Sequence, residues 1–385
     1  MSRATSRHRV MLSASGALPP EYEELRGRVR GFLADQVARG RFTPAPDSWM
    51  SGIDPDFSRL LAGQGWLGMT IPVEYGGHGR TSLERYVVTE ELLASGAPVA
   101  AHWIADRQMA PGILRNGTEE QKHRYLPGIT RGEKLFCIGM SEADAGSDLA
   151  AVRTRAVPVA EGWRITGSKL WTSNAHVATT VVLLARSDEG ERHQGLSQFV
   201  VDLPHPDVHI RPITTIDGGR HFNEVVFDDA VVGPDALLGE RGAGWRQVTQ
   251  ELANERSGPE RILSTLPLLL LWAAEVTEDD HEAKAELGRL VTRLTSLRML
   301  SLGVAHELSA GRNPALEAAL VKDLGTAFES DVTETIRRLG NRPAPDGDPL
   351  GVMLAQAQWH SPAFTLRGGS SEVLRSIVAK GLVGR

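Results

Sequence analysis

A single cysteine, Cys137, stands in a chain of 385 residues, so neither an internal disulfide nor a cysteine-built zinc cluster can form. Positive charge is not in excess either. The 42 Lys and Arg against 48 Asp and Glu leave a formal charge of -6, without the electrostatic footprint of a nucleic-acid binder. Long apolar runs are missing. The longest, Leu266 to Ala274, has nine residues and includes Pro267, well short of the roughly 20 that cross a bilayer. What is present is a globular composition, 41% hydrophobic and 23% charged, long enough for two or three domains. The first sixteen residues carry Arg3, Arg7 and Arg9 and no acid. A transit peptide can read this way, but without an apolar stretch a frayed tail over residues 1–16 is expected, and a cytoplasmic location with it.

Three regimes follow. Residues 17–134 read as helical: Leu25, Val29 and Phe32 share one face, Phe57, Leu60 and Leu61 another, and the run Ser82 to Leu93 keeps helical spacing, with Pro72, Gly76, Gly77 and Gly79 as breakers. Over residues 135–239 the period becomes two. Trp163, Ile165 and Gly167 alternate with Arg164, Thr166 and Ser168, and Val181 to Ala185, Phe199 to Val201 and Val225 to Phe227 add strands. From residue 240 to 385 helices return at Trp245 to Arg256, Arg261 to Val276, Glu282 to Leu308 and Leu316 to Leu339, with a short one near Ser371 and a loop from Pro343 to Pro349. The fold class is therefore α+β multidomain: an N-terminal helical domain, a middle β-sandwich or barrel and a C-terminal four-helix bundle.

Some patterns mislead. Gly63, Gly65 and Gly68 fit G-x-G-x-x-G, but a helical stretch precedes them and an extended Met69-Thr70-Ile71-Pro72 is expected after them, the reverse of a dinucleotide site. The 12 histidines include no H-x-x-x-H pair on a helix, and His221 with Glu224 lies in a strand-like segment, so no metal is expected. No G-x-S-x-G nucleophile elbow occurs.

Chemistry-bearing segments are found elsewhere. Met140 to Ser147 is rich in small and hydroxyl residues, so its amides and the Ser141 and Ser147 hydroxyls can approach a ligand closely. Trp171-Thr172-Ser173 places an indole beside two more hydroxyls, a set that suits a planar heteroaromatic cofactor or, equally, a packed core. On the helix from Trp245, the stripe Trp245, Val248, Leu252 continues to Glu255. An acid there is either a general base, its pKa raised by desolvation, or half of a buried pair with Arg256, Arg261 or a distant arginine. Arg367 to Val373 is a glycine turn entering a helix, where exposed amides can bind a carbonyl or phosphate oxygen and Glu372 acts as a cap.

Taken together and in order, several segments resemble the acyl-CoA dehydrogenase family: Gly65-Trp66-Leu67-Gly68, Pro72 to Gly79, Gly117 to Lys122, Met140 to Asp148, Gly167 to Ala175, Glu224 to Asp229 and Gly369 to Val373. The resemblance runs from about residue 20 to the end. It implies FAD between the β domain and the C-terminal domains of two subunits, in homodimers, tetramers or heteromers. Cofactor contacts are expected from Ile138, Met140, Ser141, Gly146, Ser147, Trp171, Thr172, Ser173, Ser370 and Glu372, and substrate contacts from Ser147, Arg256 and Gly369. The implied reaction is α,β-dehydrogenation of an acyl thioester of CoA or a carrier protein, in lipid metabolism, with a flavoprotein or oxygen as electron acceptor. A flavin oxidase or monooxygenase, or an assembly subunit of a heteromeric dehydrogenase, are the alternatives.

Two departures sharpen this. Many members carry the catalytic glutamate where this chain has Gly368; a second group carries it where this chain has Glu255. Glu255 is thus expected as the base, with the Gly368 N–H donating to the thioester oxygen. The family's Arg-x-x-Phe-Gly loop, which reaches FAD in a neighbouring subunit, is replaced by the acidic stretch Thr277 to Ala285, and the stretch near Arg337, Leu339 and Gly340 is altered too. The chain would then pair with a different subunit that supplies these cofactor contacts, or hold FAD unconventionally.

Overall fold

Side-chain caps decide where the N-terminal helices begin. Asp54 accepts the Phe57 N–H, and Thr81 and Thr118 close reciprocal capping boxes with Glu84 and Gln121. The computed structural model describes residues 20–256, 258–312, 314–340 and 347–383, with the side chains of 252–255 outside the described set. The tail expected over residues 1–16, and most of the loop expected from Pro343, lie outside it. The first elements are α1 (Pro20–Ala38), α2 (Ser48–Ser51), α3 (Pro55–Gly63), α4 (Ser82–Ala94), α5 (Ala100–Ile104), α6 (Ala110–Asn116) and α7 (Glu119–Thr130), with a π-helical turn, Ala105–Met109, joining α5 to α6. Leu60 departs from its expected core position and is exposed, while Phe57 and Leu61 are buried. The glycines after α3 form a tight turn rather than a dinucleotide loop. Gly68 has φ +62°, its N–H is taken by Asp106, and a Cβ there would strike Thr130. The expected extended stretch after it is instead a series of turns leading to a 3-10 helix, Val73–Tyr75.

The middle of the chain forms an eight-stranded sheet of β1 (Phe136–Gly139), β2 (Arg155–Val159), β3 (Gly162–Ser173), β4 (Thr180–Arg186), β5 (Leu196–Asp202), β6 (Val208–Ile213), β7 (Phe222–Val232) and β8 (Leu237–Leu238). Its order is β6-β7-β3-β2-β4-β5-β8, with β1 parallel to β4. The two halves meet at one β2–β4 pair, Arg155 with Arg186, and fold over a shared core of Cys137, Trp163, Ile165, Val181, Leu183, Phe199, Val225 and Phe227. Strand β4 reads as an unbroken apolar run because its other face, at Val182, packs on Met109, Tyr125 and Leu126 of the helical layer.

Beyond the sheet come α8 (Gly244–Glu255), a 3-10 turn Pro259–Arg261, α9 (Leu266–Glu275), α10 (His281–Ser309), α11 (Ala315–Leu339), α12 (Pro349–Phe364) and α13 (Ser371–Val383). The helix expected from Arg261 to Val276 starts only at Leu266, because Pro267 is tolerated in a first turn and not in an interior. Helix α12 had no sequence signature: apolar residues are spread around it and Pro362 interrupts its last turn. Leu25, Val29, Phe57 and Trp103 share one core with Leu268, Trp272, Phe328, Val332 and Met353, so the N- and C-terminal helices pack as one helical layer beside the sheet. Among the described residues, no helix is long and apolar enough to cross a membrane.

Candidate active site

The turn after β1 is held from inside the protein. Lys169, fully buried on β3, donates to the Met140 carbonyl at 3.2 Å and to Glu142 Oε1 at 2.7 Å. Glu142 also accepts the amides of Arg153 and Thr154. Burial drives the Lys169 pKa down to about 8; Glu142 opposes this without cancelling it. The Leu170 N–H donates to the Ser141 carbonyl at 2.8 Å, stitching Met140 to Ser147 onto the end of β3. There a register shift between Lys169 and Thr172 puts Trp171 at φ +62°, a conformation that costs a bulky residue on the order of 1–3 kcal/mol. The bulge turns the indole outward, 54% exposed, with Phe222 edge-on at 5.8 Å. Ser173 is half-buried beside it, and Thr172 Oγ1 is buried without a hydrogen-bond partner. Gly146 and Ser147 are exposed, and nothing stands within 4 Å of where a Gly146 Cβ would be. An open shelf of amides and hydroxyls beside a projecting indole fits the edge and face of a flavin. Ile138 is half-buried in β1 under the same turn.

Helix α8 leans on this turn: Met140, Ala145 and Leu184 form one cluster with Trp245 and Val248. Its buried face includes Gln247, Val248 and Glu251, where α8 packs on β5 and on the α6 side together; of the stripe read in the sequence, Val248 is buried and the side chains of Leu252 and Glu255 lie outside the described residues. Gln198 of β5 donates to Glu251 at 3.1 Å, a buried acid that sequence reasoning passed over. Glu255 closes α8 one turn later; its side chain lies outside the described residues.

From there the chain reaches the glycine turn. Arg256 Nε donates to the Gly368 carbonyl at 2.9 Å, and Lys322 Nζ donates to the Gly369 carbonyl at 2.7 Å. Gly368 and Gly369 have φ of +67° and +98°, and a Gly369 Cβ would stand 2.9 Å from Arg256 Nη2. Among the described residues, no acceptor faces the amides of Gly368, Gly369 or Ser370. Ser370 and Glu372 enter α13 on this turn, Glu372 exposed and held low in pKa by hydrogen bonds from its own amide and from Ser370. No hydrogen bond among the described residues joins these two to the Met140–Ser147 turn.

A buried charge chain secures the turn to both other parts of the fold. Arg367 forks onto Asp47 at 2.6 and 2.7 Å and lies over the rings of Trp49 and Phe364. His360 on α12 sits between Asp47 (3.5 Å) and Asp217 of the β6–β7 loop (3.1 Å). His221 of the same loop faces His360 and stacks on Phe222, beside Trp171. Glu329 accepts the Ser264 N–H at 2.7 Å, and burial raises its pKa to about 7. Burial alone would lower the pKa of His360, but Asp47 and Asp217 outweigh it and hold it above its ordinary value. A raised folded-state pKa means stability that is fully present below about pH 6.5, the unfolded value, and is lost as pH rises through the folded value. The urea midpoint of the wild type should therefore fall from pH 6 to pH 9 by more than that of His360→Asn, since the variant keeps every other titrating group. Equal pH slopes would show that the ring contributes no charge here.

The helical and β layers, with the amide-rich turn after β1 and the glycine turn before α13, have the order of a flavoprotein oxidoreductase. Residues 19–133 match the acyl-CoA dehydrogenase N-terminal domain and residues 137–230 the acyl-CoA dehydrogenase middle domain. The chain is 32% identical to acyl-CoA dehydrogenase IpdE1 of Mycobacterium tuberculosis, over 94% of this chain and 98% of that protein. Its structure is similar to the Tcur3481-Tcur3483 steroid ACAD, with TM-score 0.86, 28% identity and coverage of 96% and 99%. It is also similar to the ChsE4-ChsE5 complex of Mycobacterium tuberculosis, with TM-score 0.82, 27% identity and coverage of 96% and 98%. The chain belongs to the acyl-CoA dehydrogenase family, whose members are flavoproteins.

Proposed function

We propose that this chain uses FAD to dehydrogenate an acyl thioester between its α and β carbons. The observation that carries the reading is the Gly368–Ser370 turn, whose amides face no acceptor among the described residues while the carbonyls of Gly368 and Gly369 are held by Arg256 and Lys322. Such amides take up the thioester oxygen, stabilise the charge that develops on it and so acidify the α-hydrogen. Glu255, at the end of α8, takes that proton. A bound flavin supplies the acceptor for the hydride that leaves the β carbon. Ile138, Met140, Ser141, Gly146, Ser147 and Trp171 to Ser173 form the cofactor side, and Ser370 and Glu372 add cofactor contacts from the start of α13. Ser147, Arg256 and Gly369 line the substrate side. Residues 277–280, between α9 and α10, are exposed and rich in acid, poorly suited to a neighbour's diphosphate. This supports a heteromer in which a related subunit completes the cofactor site, as the two-component names of the similar structures suggest for those proteins.

The test is anaerobic titration of FAD-loaded protein, alone and co-expressed with a related subunit, against a panel of acyl-CoA thioesters. At least one thioester should bleach the flavin stoichiometrically, and co-expression should raise the flavin content. A fully loaded preparation that no thioester bleaches would overturn the reading.

A further inference from the structure

Lys322 is a fully buried cation on α11 that touches the proposed site through backbone carbonyls. It follows Ala318 and Ala319 on the stripe that continues through Gly325, Thr326 and Glu329, the face that α11 turns to the rest of the bundle. Its ammonium lies 2.7 Å from the Gly369 carbonyl and 3.4 Å from that of Phe364, the residue ending α12. One group therefore grips both the end of the helix that leads into the glycine turn and the turn itself. A trans peptide places the C=O of one residue opposite the N–H of the next. Holding the Gly368 carbonyl on Arg256 aims the Gly369 amide the other way, and holding the Gly369 carbonyl on Lys322 does the same for the Ser370 amide. Glycine at two successive positive-φ positions leaves this backbone without intrinsic preference for that arrangement. Something outside the turn must impose it.

Resting on the dehydrogenase reading above, we propose that Lys322 is a positioning residue for the oxyanion-binding turn: its ammonium fixes and polarises the Gly369–Ser370 peptide so that the Ser370 amide joins that of Gly368 in meeting the thioester oxygen. A charge-assisted hydrogen bond at a carbonyl draws electron density from the attached N–H and strengthens it as a donor. The effect is felt only when charge grows on the substrate oxygen, so it belongs to turnover more than to binding.

The experiment uses the thioester that bleaches the wild type in the titration above, labelled with 13C at its carbonyl. A wild type bleached by no thioester would sink the dehydrogenase reading itself, separately from this proposal. Flavin-loaded Lys322→Met, which keeps the stem and removes the donor, should lose about 10–100-fold in kcat, with KM within about threefold. The infrared carbonyl band of the bound thioester should move back toward its position in water. Lys322→Gln, which keeps a neutral donor, should fall between Met and wild type in both readouts. The acid limb of the kcat/KM profile should stay in place, because the base is a different residue. A carbonyl band unchanged in both variants overturns the proposal, as does a shifted acid limb with an unchanged band, which would mean that Lys322 acts on the base. Failure of both variants to retain flavin would make Lys322 a folding residue and would also refute it.

Discussion

Glu255→Gln should leave the flavin bound and slow its reduction by an acyl thioester about 10²–10⁴-fold, the range expected for loss of a general base. The amide is isosteric with the acid, so α8 and its packing on Met140 and Leu184 should persist. What disappears is the basic oxygen that receives the α-proton; the turn can still bind the thioester. Visible absorbance after anaerobic mixing separates the two steps, since binding perturbs the flavin spectrum without bleaching it. Glu251→Gln is the matched control. Four residues earlier, Glu251 lies on the same face about 6 Å along the axis, where Gln198 hydrogen-bonds it. Bleaching that survives Glu255→Gln but fails in Glu251→Gln would transfer the role to Glu251.

Asp47→Ala should cost about 3–5 kcal/mol of stability, as when one partner of a buried ion pair is deleted. The Asp47 side chain is 4% exposed and that of Arg367 is 13%, so the stranded guanidinium cannot regain water. Among the described residues it keeps the Trp49 and Phe364 ring faces, a long contact to Ser264 Oγ at 3.5 Å and the attraction of the buried Glu329. The urea midpoint should drop at unchanged m-value. Asp47→Asn should lose less, because asparagine accepts the left-handed backbone (φ +54°) that alanine resists. Despite the cost of burying it, Asp47 is held below its ordinary pKa by Arg367 and His360. Its contribution is therefore present at neutral pH and lost as pH falls through the folded value. A loss under about 1 kcal/mol would show that the fork only balances its own desolvation.

Much of the candidate site could be proposed from the sequence because its signals are local. Met140 to Ser147 and Trp171 to Ser173 are contiguous runs, and the structure stitches them together through Leu170 and Ser141. Arg256, Gly368 and Gly369, read separately, also meet. The buried polar residues behind them were not read, although a signal existed for two. Lys322 and Glu329 interrupt the apolar stripe of α11 just as Glu255 continues that of α8, and the same periodicity argument applies to them. Asp47, His360 and Arg367 gave no such signal. Asp47 precedes a four-residue helix, and α12 carries no apolar stripe from which His360 could stand out.

From the chain alone came the order of helical, β and helical regions, the turn chemistry at each boundary, and the family to which the motifs belong. All of these follow from spacings of a few residues. Packing alone decided that N- and C-terminal helices share one core, that Asp47 pairs with a residue 320 positions away, and that Lys322 reaches the glycine turn. Contacts across such separations leave no periodicity in the chain. They arise only when desolvated charges must find partners in whatever the fold brings beside them.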